Sequence, residues 1–221
     1  MLHNPTQSNT MLIGLTGGIG SGKSTIAKQL REMGYAVYDT DSEAKRLIVE
    51  DATVRNQMEQ LFGKEVYADG VYQTTLVAQR VFADKTLLAQ LNAIVHPAVK
   101  ADILRWTTND HLSSTGSQSN PRKSDLQRKD FLFIECAILY QAGFDQLCDK
   151  VVMITAPEAI RIERTIARDQ TTMDKVSARI HAQDVEGDIQ RADIVIDNDG
   201  TTPITTLCEK IITMIGSYGG N

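Results

Sequence analysis

Between Gly17 and Ser24 the chain reads Gly-Gly-Ile-Gly-Ser-Gly-Lys-Ser, a run whose residue types and spacing suit one kind of chemistry. Glycines let backbone N–H groups curl round a phosphate with no Cβ atom in the way, and a helix that starts there turns its positive end on the same spot. In this G-x-x-x-x-G-K-[ST] pattern, Lys23 reaches phosphate oxygens and the Ser24 hydroxyl is suited to ligate Mg2+. The residues expected to cradle a nucleoside triphosphate are Gly18, Ile19, Gly20, Ser21, Gly22, Lys23, Ser24 and Thr25. The flanks agree with the motif. An apolar run of strand length, Met11–Thr16, leads into it, and Ile26, Ala27, Leu30 and Met33 recur after it at helical spacing until Gly34.

Such a loop identifies a phosphate site and leaves the reaction open. A GTPase-like switch needs N-K-x-D or T-K-x-D, and neither occurs. A phosphotransferase needs a carboxylate at a neighbouring strand end and an arginine-bearing lid. Asp39-Thr40-Asp41 follows the second strand-like run, at the edge where open α/β sheets bind ligands. Asp41 there serves either as a base for an attacking hydroxyl or as the cap of a helix beginning at Ser42. Arg161, Arg164 and Arg168 lie at i, i+3 and i+7 on the helix that Pro157 opens, and Arg179 and Gln183 repeat the spacing on the next. These faces are either solvated or a clamp on triphosphate charge.

Apolar strand-length runs alternate with helical stretches, which predicts an α/β fold with a parallel sheet covered on both faces. The strands are Met11–Thr16, Tyr35–Asp39, Phe131–Glu135, Val151–Thr155 and Asp193–Asp197. The residues from Ser42 to Trp106 carry no convincing parallel strand and read as a helical insertion. One helix is expected to stop before Pro97 and a new one to begin there, with His96 as a possible cap. The polar stretch Thr107–Asp130 reads as a surface loop, and residues 1–10, ahead of a second methionine at Met11, as either a short tail or an upstream start, outside the fold.

The chain has 221 residues, 42% of them apolar and 23% charged, enough to bury a core without disulfide or metal staples. Its net charge of −5 argues against broad nucleic-acid binding. Cys136, Cys148 and Cys208 show no C-x-x-C spacing and read as reduced thiols. With no apolar run of the ~20 residues a membrane helix needs, the expectation is a cytoplasmic protein without membrane or nucleic-acid partners, and no protein partner is implied.

In order along the chain, MLIGLTGGIGSGKST (11–25), YDTD (38–41), IVHP (94–97), ERTIARD (163–169), RIHAQ (179–183) and ADIVIDN (192–198) resemble the dephospho-CoA kinase family. The resemblance runs from Met11 to about Ile215. It implies a P-loop core with a five-stranded parallel sheet (11–41, 131–157 and 190–216), a helical CoA-binding insertion (42–106) and a helical lid (158–189). It also implies transfer of the γ-phosphoryl group of ATP, with Mg2+, to the 3′-hydroxyl of dephospho-CoA. By this resemblance Asp41 is the base, and Lys23, Arg164 and Arg168 assist transfer. Asn198 lies near adenine, although it also suits a plain turn. Asp39, His96 and Lys100 belong to the acceptor site, and Glu135 holds Mg2+ through water. The chain departs from the family pattern at Ala137 and Gln141, where Pro and Glu are usual, and at Lys100, where Arg is common. A regulator that binds nucleotide without catalysis is the contrasting class; retention of Lys23, Ser24, Asp41 and the arginines argues against it.

Overall fold

A computed structural model describes residues 10–108 and 131–218. The readings made for residues 1–9 and for 109–130 of the polar stretch fall outside them. Contacts divide the described chain into two compact units, one holding residues up to 38 and from 131 onward, the other residues 39–108.

The first unit is built on a parallel sheet of five strands: β1 (Met11–Gly17), β2 (Ala36–Asp39), β3 (Phe131–Glu135), β4 (Lys150–Thr155) and β5 (Ile194–Asp197), in the order β2-β3-β1-β4-β5. β1 is central, flanked by β3 on one side and β4 on the other. The chain therefore departs from β1 at the point where strand order reverses, which is where open α/β sheets bind ligands. The central strands bury almost every residue, as their unbroken apolar sequences require when both faces are covered. β5, at the edge, alternates buried and exposed instead. α1 (Lys23–Glu32) presents Ile26, Ala27 and Leu30 to Ile13, Leu15, Phe133 and Ile154, and α9 (Ile204–Tyr218) adds Leu207, Cys208, Ile211 and Ile215. Between β4 and β5 lie α6 (Glu158–Asp169), α7 (Met173–His181) and the short α8 (Val185–Arg191), the last without a counterpart in the sequence reading. α7 ends two residues before Gln183, so Gln183 stands in the turn after the helix and not on it.

The second unit is helical: α2 (Thr40–Glu50), α3 (Ala52–Phe62), α4 (Thr74–Ala83) and α5 (Lys85–Thr108), with α5 packed on the other three. Two expectations fail here. α2 begins at Thr40, and its cap is Asp39, whose carboxylate accepts from the N–H groups of Asp41 (3.1 Å) and Ser42 (3.2 Å). The cap reading of Asp41 is thereby overturned. Helix α5 runs straight through Pro97, so His96 caps nothing. Proline removes one bond to the carbonyl of Ala93, but both residues are exposed and water can satisfy that carbonyl. On the opposite side Val95, Val99 and Ile103 keep one buried stripe across the proline, and that packing holds the helix together.

Candidate active site

The turn after β1 is shaped by close approaches from several elements. A Cβ on Gly17 would lie 2.5 Å from the Ile154 carbonyl, and one on Gly20 would lie 2.3 Å from the Arg161 carbonyl. One on Gly22 would meet the Asn198 amide at 2.2 Å. Gly20 (φ 78°) and Gly22 (φ 91°) also adopt left-handed backbone that side chains resist. Gly22 is the residue that caps α1, and having no side chain it offers no acceptor to the first-turn N–H groups. A helix start left in this way is a site for an anion. Ser24 and Thr25 are exposed on that first turn.

Lys23 does not extend into solvent. Its ammonium donates to Glu135 at 2.8 Å, with the two side chains 11% and 6% exposed. The parallel register makes this pair possible: Glu135 lies opposite Leu15, so the acidic end of β3 lies level with the start of the loop. Arg31, two turns along α1 from Lys23, stands 3.6 Å from the other Glu135 oxygen and donates to the Val37 carbonyl at 3.5 Å. Its part was missed in sequence, because an exposed-face arginine near a helix end carries no distinguishing pattern.

The three arginines of α6 part company. Arg161 is only 8% exposed and donates to the Ile19 carbonyl at 2.9 Å. Arg164 donates to the carbonyls of Asn198 (3.0 Å) and Ser21 (3.5 Å), bracing the loop after β5 against the phosphate loop. Arg168 is exposed and forks onto Asp169, which also accepts from Arg179. Those two guanidinium groups hold the Asp169 carboxyl well below the usual carboxylate range. Asn198 is buried, and its amide donates to the Ser21 carbonyl at 2.8 Å. Its own oxygen and the Ser21 hydroxyl are buried with no hydrogen-bond partner among the described residues. Gln141 donates to Asp188 at 3.4 Å, so a carboxylate at 141 would instead meet a like charge. Burial pushes the Cys148 thiol up to about 12 and that of Cys208 to about 11, which leaves both unreactive near neutral pH.

The first unit therefore brings together Lys23, Ser24, Glu135, Arg164 and Asn198 around residues 17–25. Arg168 stands apart on its ion pair. The second unit holds the other expected residues. Asp39 engages both carboxylate oxygens locally, one on the α2 cap and one on the Ser42 hydroxyl at 3.0 Å. Asp41 is exposed, with a carboxylate that accepts no hydrogen bond among the described residues of its unit. His96 and Lys100 share one face of α5, both half-buried, and burial lowers the His96 imidazole below its ordinary value.

A parallel sheet ordered this way, a strand–glycine loop–helix phosphate site, a lysine beside a buried strand-end carboxylate and arginines on the following helices define a P-loop kinase. The family model for dephospho-CoA kinase matches residues 11–203, and the chain belongs to that family. A dephospho-CoA kinase of Porphyromonas gingivalis is 37% identical over 180 residues, 81% of each chain. Among solved structures, a Thermus thermophilus protein superposes with a TM-score of 0.73 at 28% identity, covering 96% of this chain and 98% of its own. The dephospho-CoA kinase of Campylobacter jejuni shares the fold, with a TM-score of 0.64 at 23% identity over 94% of this chain and 98% of its own.

Proposed function

We propose that this chain transfers the γ-phosphoryl group of ATP to the 3′-hydroxyl of dephospho-CoA, giving coenzyme A and ADP. The observation that carries the reading is the family match over residues 11–203, which takes in both the phosphate loop and the helical unit. Phosphoryl transfer asks the protein mainly for positioning and charge neutralisation. The first-turn N–H groups of α1 hold the phosphates, and Lys23 exchanges the Glu135 carboxylate for phosphate oxygens. Arg164 and Arg168 are assigned to the lid charge over residues 158–189, and Asn198 to the nucleotide side of the loop. Asp41 accepts the proton of the ribose hydroxyl, a role its exposed carboxylate leaves it free to take. His96 and Lys100 are assigned to the acceptor, with Asp39 supporting Asp41 through the α2 cap.

The donors fit Mg2+, which takes hard oxygen ligands and keeps waters and phosphates in its shell. Ser24 and, through water, Glu135 would hold it. Among the described residues no group of three or more His, Cys, Asp or Glu could hold a metal ion unaided, so phosphates and water must complete the shell. When bound, it neutralises charge on the phosphates. The setting we assign is the cytoplasm, where the three free cysteines stay reduced. Among the described residues no helix is long and apolar enough to cross a membrane.

The test is incubation with ATP, Mg2+ and dephospho-CoA, followed by mass spectrometry, with adenylate and shikimate as alternative acceptors. Coenzyme A formed from dephospho-CoA alone is the expected result. Nucleotide binding without coenzyme A would overturn the acceptor assignment.

A further inference from the structure

Ile19 is the side chain that interrupts the glycines of the phosphate loop, and three separate contacts fasten it. Its N–H donates to the Gln183 side-chain amide oxygen at 2.9 Å, and its own carbonyl accepts from Arg161 Nε at 2.9 Å. Its side chain packs on the buried cluster of Ile162, Val176 and Ile180, contributed by α6 and α7. Arg161 also donates to Gln183 at 3.4 Å, so the two side chains close a ring over the backbone of residue 19. The glycines on either side are matched to it. A Cβ at Gly18 would come 2.5 Å from the Arg161 guanidinium, and one at Gly20 2.3 Å from its carbonyl.

Arg161 is also oddly placed for a structural arginine. It is buried, yet among the described residues it makes no ion pair with a carboxylate. The Glu158 carboxylate, one turn earlier on α6 and paired with His181, acts on it from a distance without a contact. A buried cation lacking a close counter-ion is costly, and a protein tolerates one where an anion is due. The loop it touches is the one that takes phosphates.

We propose that Arg161 is a positioning residue for the triphosphate: with Gln183 it locks the Ile19 peptide to α6 and α7, and its charge finds its counter-charge in bound phosphate. The proposal rests on the reading of residues 17–25 as a nucleotide site and is independent of the acceptor. It follows that motion of α6 and α7 must carry residue 19 with it, so the lid region and the phosphate loop move as one body.

The test is calorimetric titration of the full chain with ADP and with a non-hydrolysable ATP analogue, beside thermal unfolding without nucleotide. Arg161→Met keeps the volume and removes the buried charge. It should unfold no earlier than the wild type yet bind ADP about thirtyfold more weakly, since a lost charge-assisted contact is worth roughly one to two powers of ten. A merely structural arginine would lower both. Gln183→Ala should weaken ADP about tenfold with unfolding nearly unchanged, and the double variant should fall well short of the product because both act on one peptide. ADP affinity within twofold of wild type in Arg161→Met, or multiplicative losses in the double variant, would overturn the proposal. If Arg161→Met does not fold, Gln183→Ala decides, and wild-type affinity there overturns it. A wild-type chain that binds ADP but makes no coenzyme A would sink the acceptor assignment and leave these titrations valid.

Discussion

Changing Glu135 to Gln isolates the pair that holds Lys23. The two side chains are almost wholly buried and 2.8 Å apart, and Arg31 faces the second oxygen at 3.6 Å. Glutamine keeps the size and one acceptor oxygen but deletes the charge, so Lys23 retains a hydrogen bond and loses its counter-ion. Removing one member of a buried pair costs about 3–5 kcal/mol when nothing compensates, and the retained acceptor brings this to about 2 kcal/mol. For a chain of this size each kcal/mol moves Tm by about 2–4 °C, so unfolding should begin about 4–8 °C earlier. ADP then acts in the opposite sense. Its phosphates replace the missing counter-charge, and ligand that binds only the folded state stabilises it by mass action. The rise in Tm on adding ADP should therefore be larger in Glu135→Gln than in the wild type. Calorimetric unfolding with and without ADP, in chelator so that no divalent cation contributes, measures both shifts. A Tm within about 1 °C of wild type, or an equal ADP shift, would refute the account of Lys23 as held by Glu135 and released to phosphate.

Asp41→Asn should reduce turnover of dephospho-CoA by about 10²–10⁴-fold while ADP affinity stays within about twofold, read from initial rates and titration; normal turnover would remove Asp41 as the base. Gly22→Ala places a Cβ 2.2 Å from the Asn198 amide on backbone of φ 91°. It should cost about 2 kcal/mol in denaturant unfolding and most of the nucleotide affinity, whereas unchanged binding would mean that the loop tolerates a different shape. His96 gives a pH dependence with a definite sign. Burial lowers its pKa, so below about 6.5 the unfolded chain binds a proton that the folded chain does not. Stability rises with pH in that window and is lost as pH falls below about 6.5. His96→Gln should flatten that part of a Tm-against-pH series; an unaltered slope would assign it to other groups.

Much of this was legible because it is local. The strand, the glycines and the amphipathic helix of residues 11–33 follow one another in the chain, and the chemistry of that segment needs little that is distant in sequence. The parallel sheet likewise follows from unbroken apolar runs set between helical stretches. The dephospho-CoA kinase resemblance rested on short motifs in a fixed order, and the family match bears it out over residues 11–203. What sequence misjudged were competitions between local preference and packing. Pro97 marks a helix boundary locally, but the buried stripe of Val95, Val99 and Ile103 carries α5 through it. A two-residue shift in the start of α2, from Ser42 to Thr40, transfers the cap from Asp41 to Asp39.

The three arginines spaced along α6 look equivalent in one dimension, and only tertiary structure tells them apart. Arg161 is drawn under the phosphate loop, Arg164 braces the carbonyls of Ser21 and Asn198, and Arg168 is left to an exposed ion pair. The pairing of Lys23 with Glu135 across 112 residues is set by the register of two parallel strands. The sequence alone determined that a strand, a glycine loop and a helix of the phosphate-binding pattern would follow one another and where, because that segment is made of consecutive backbone. Which side chains hold the loop in shape and balance its charge was decided by the tertiary structure, because those partners become neighbours only when the sheet aligns its strand ends.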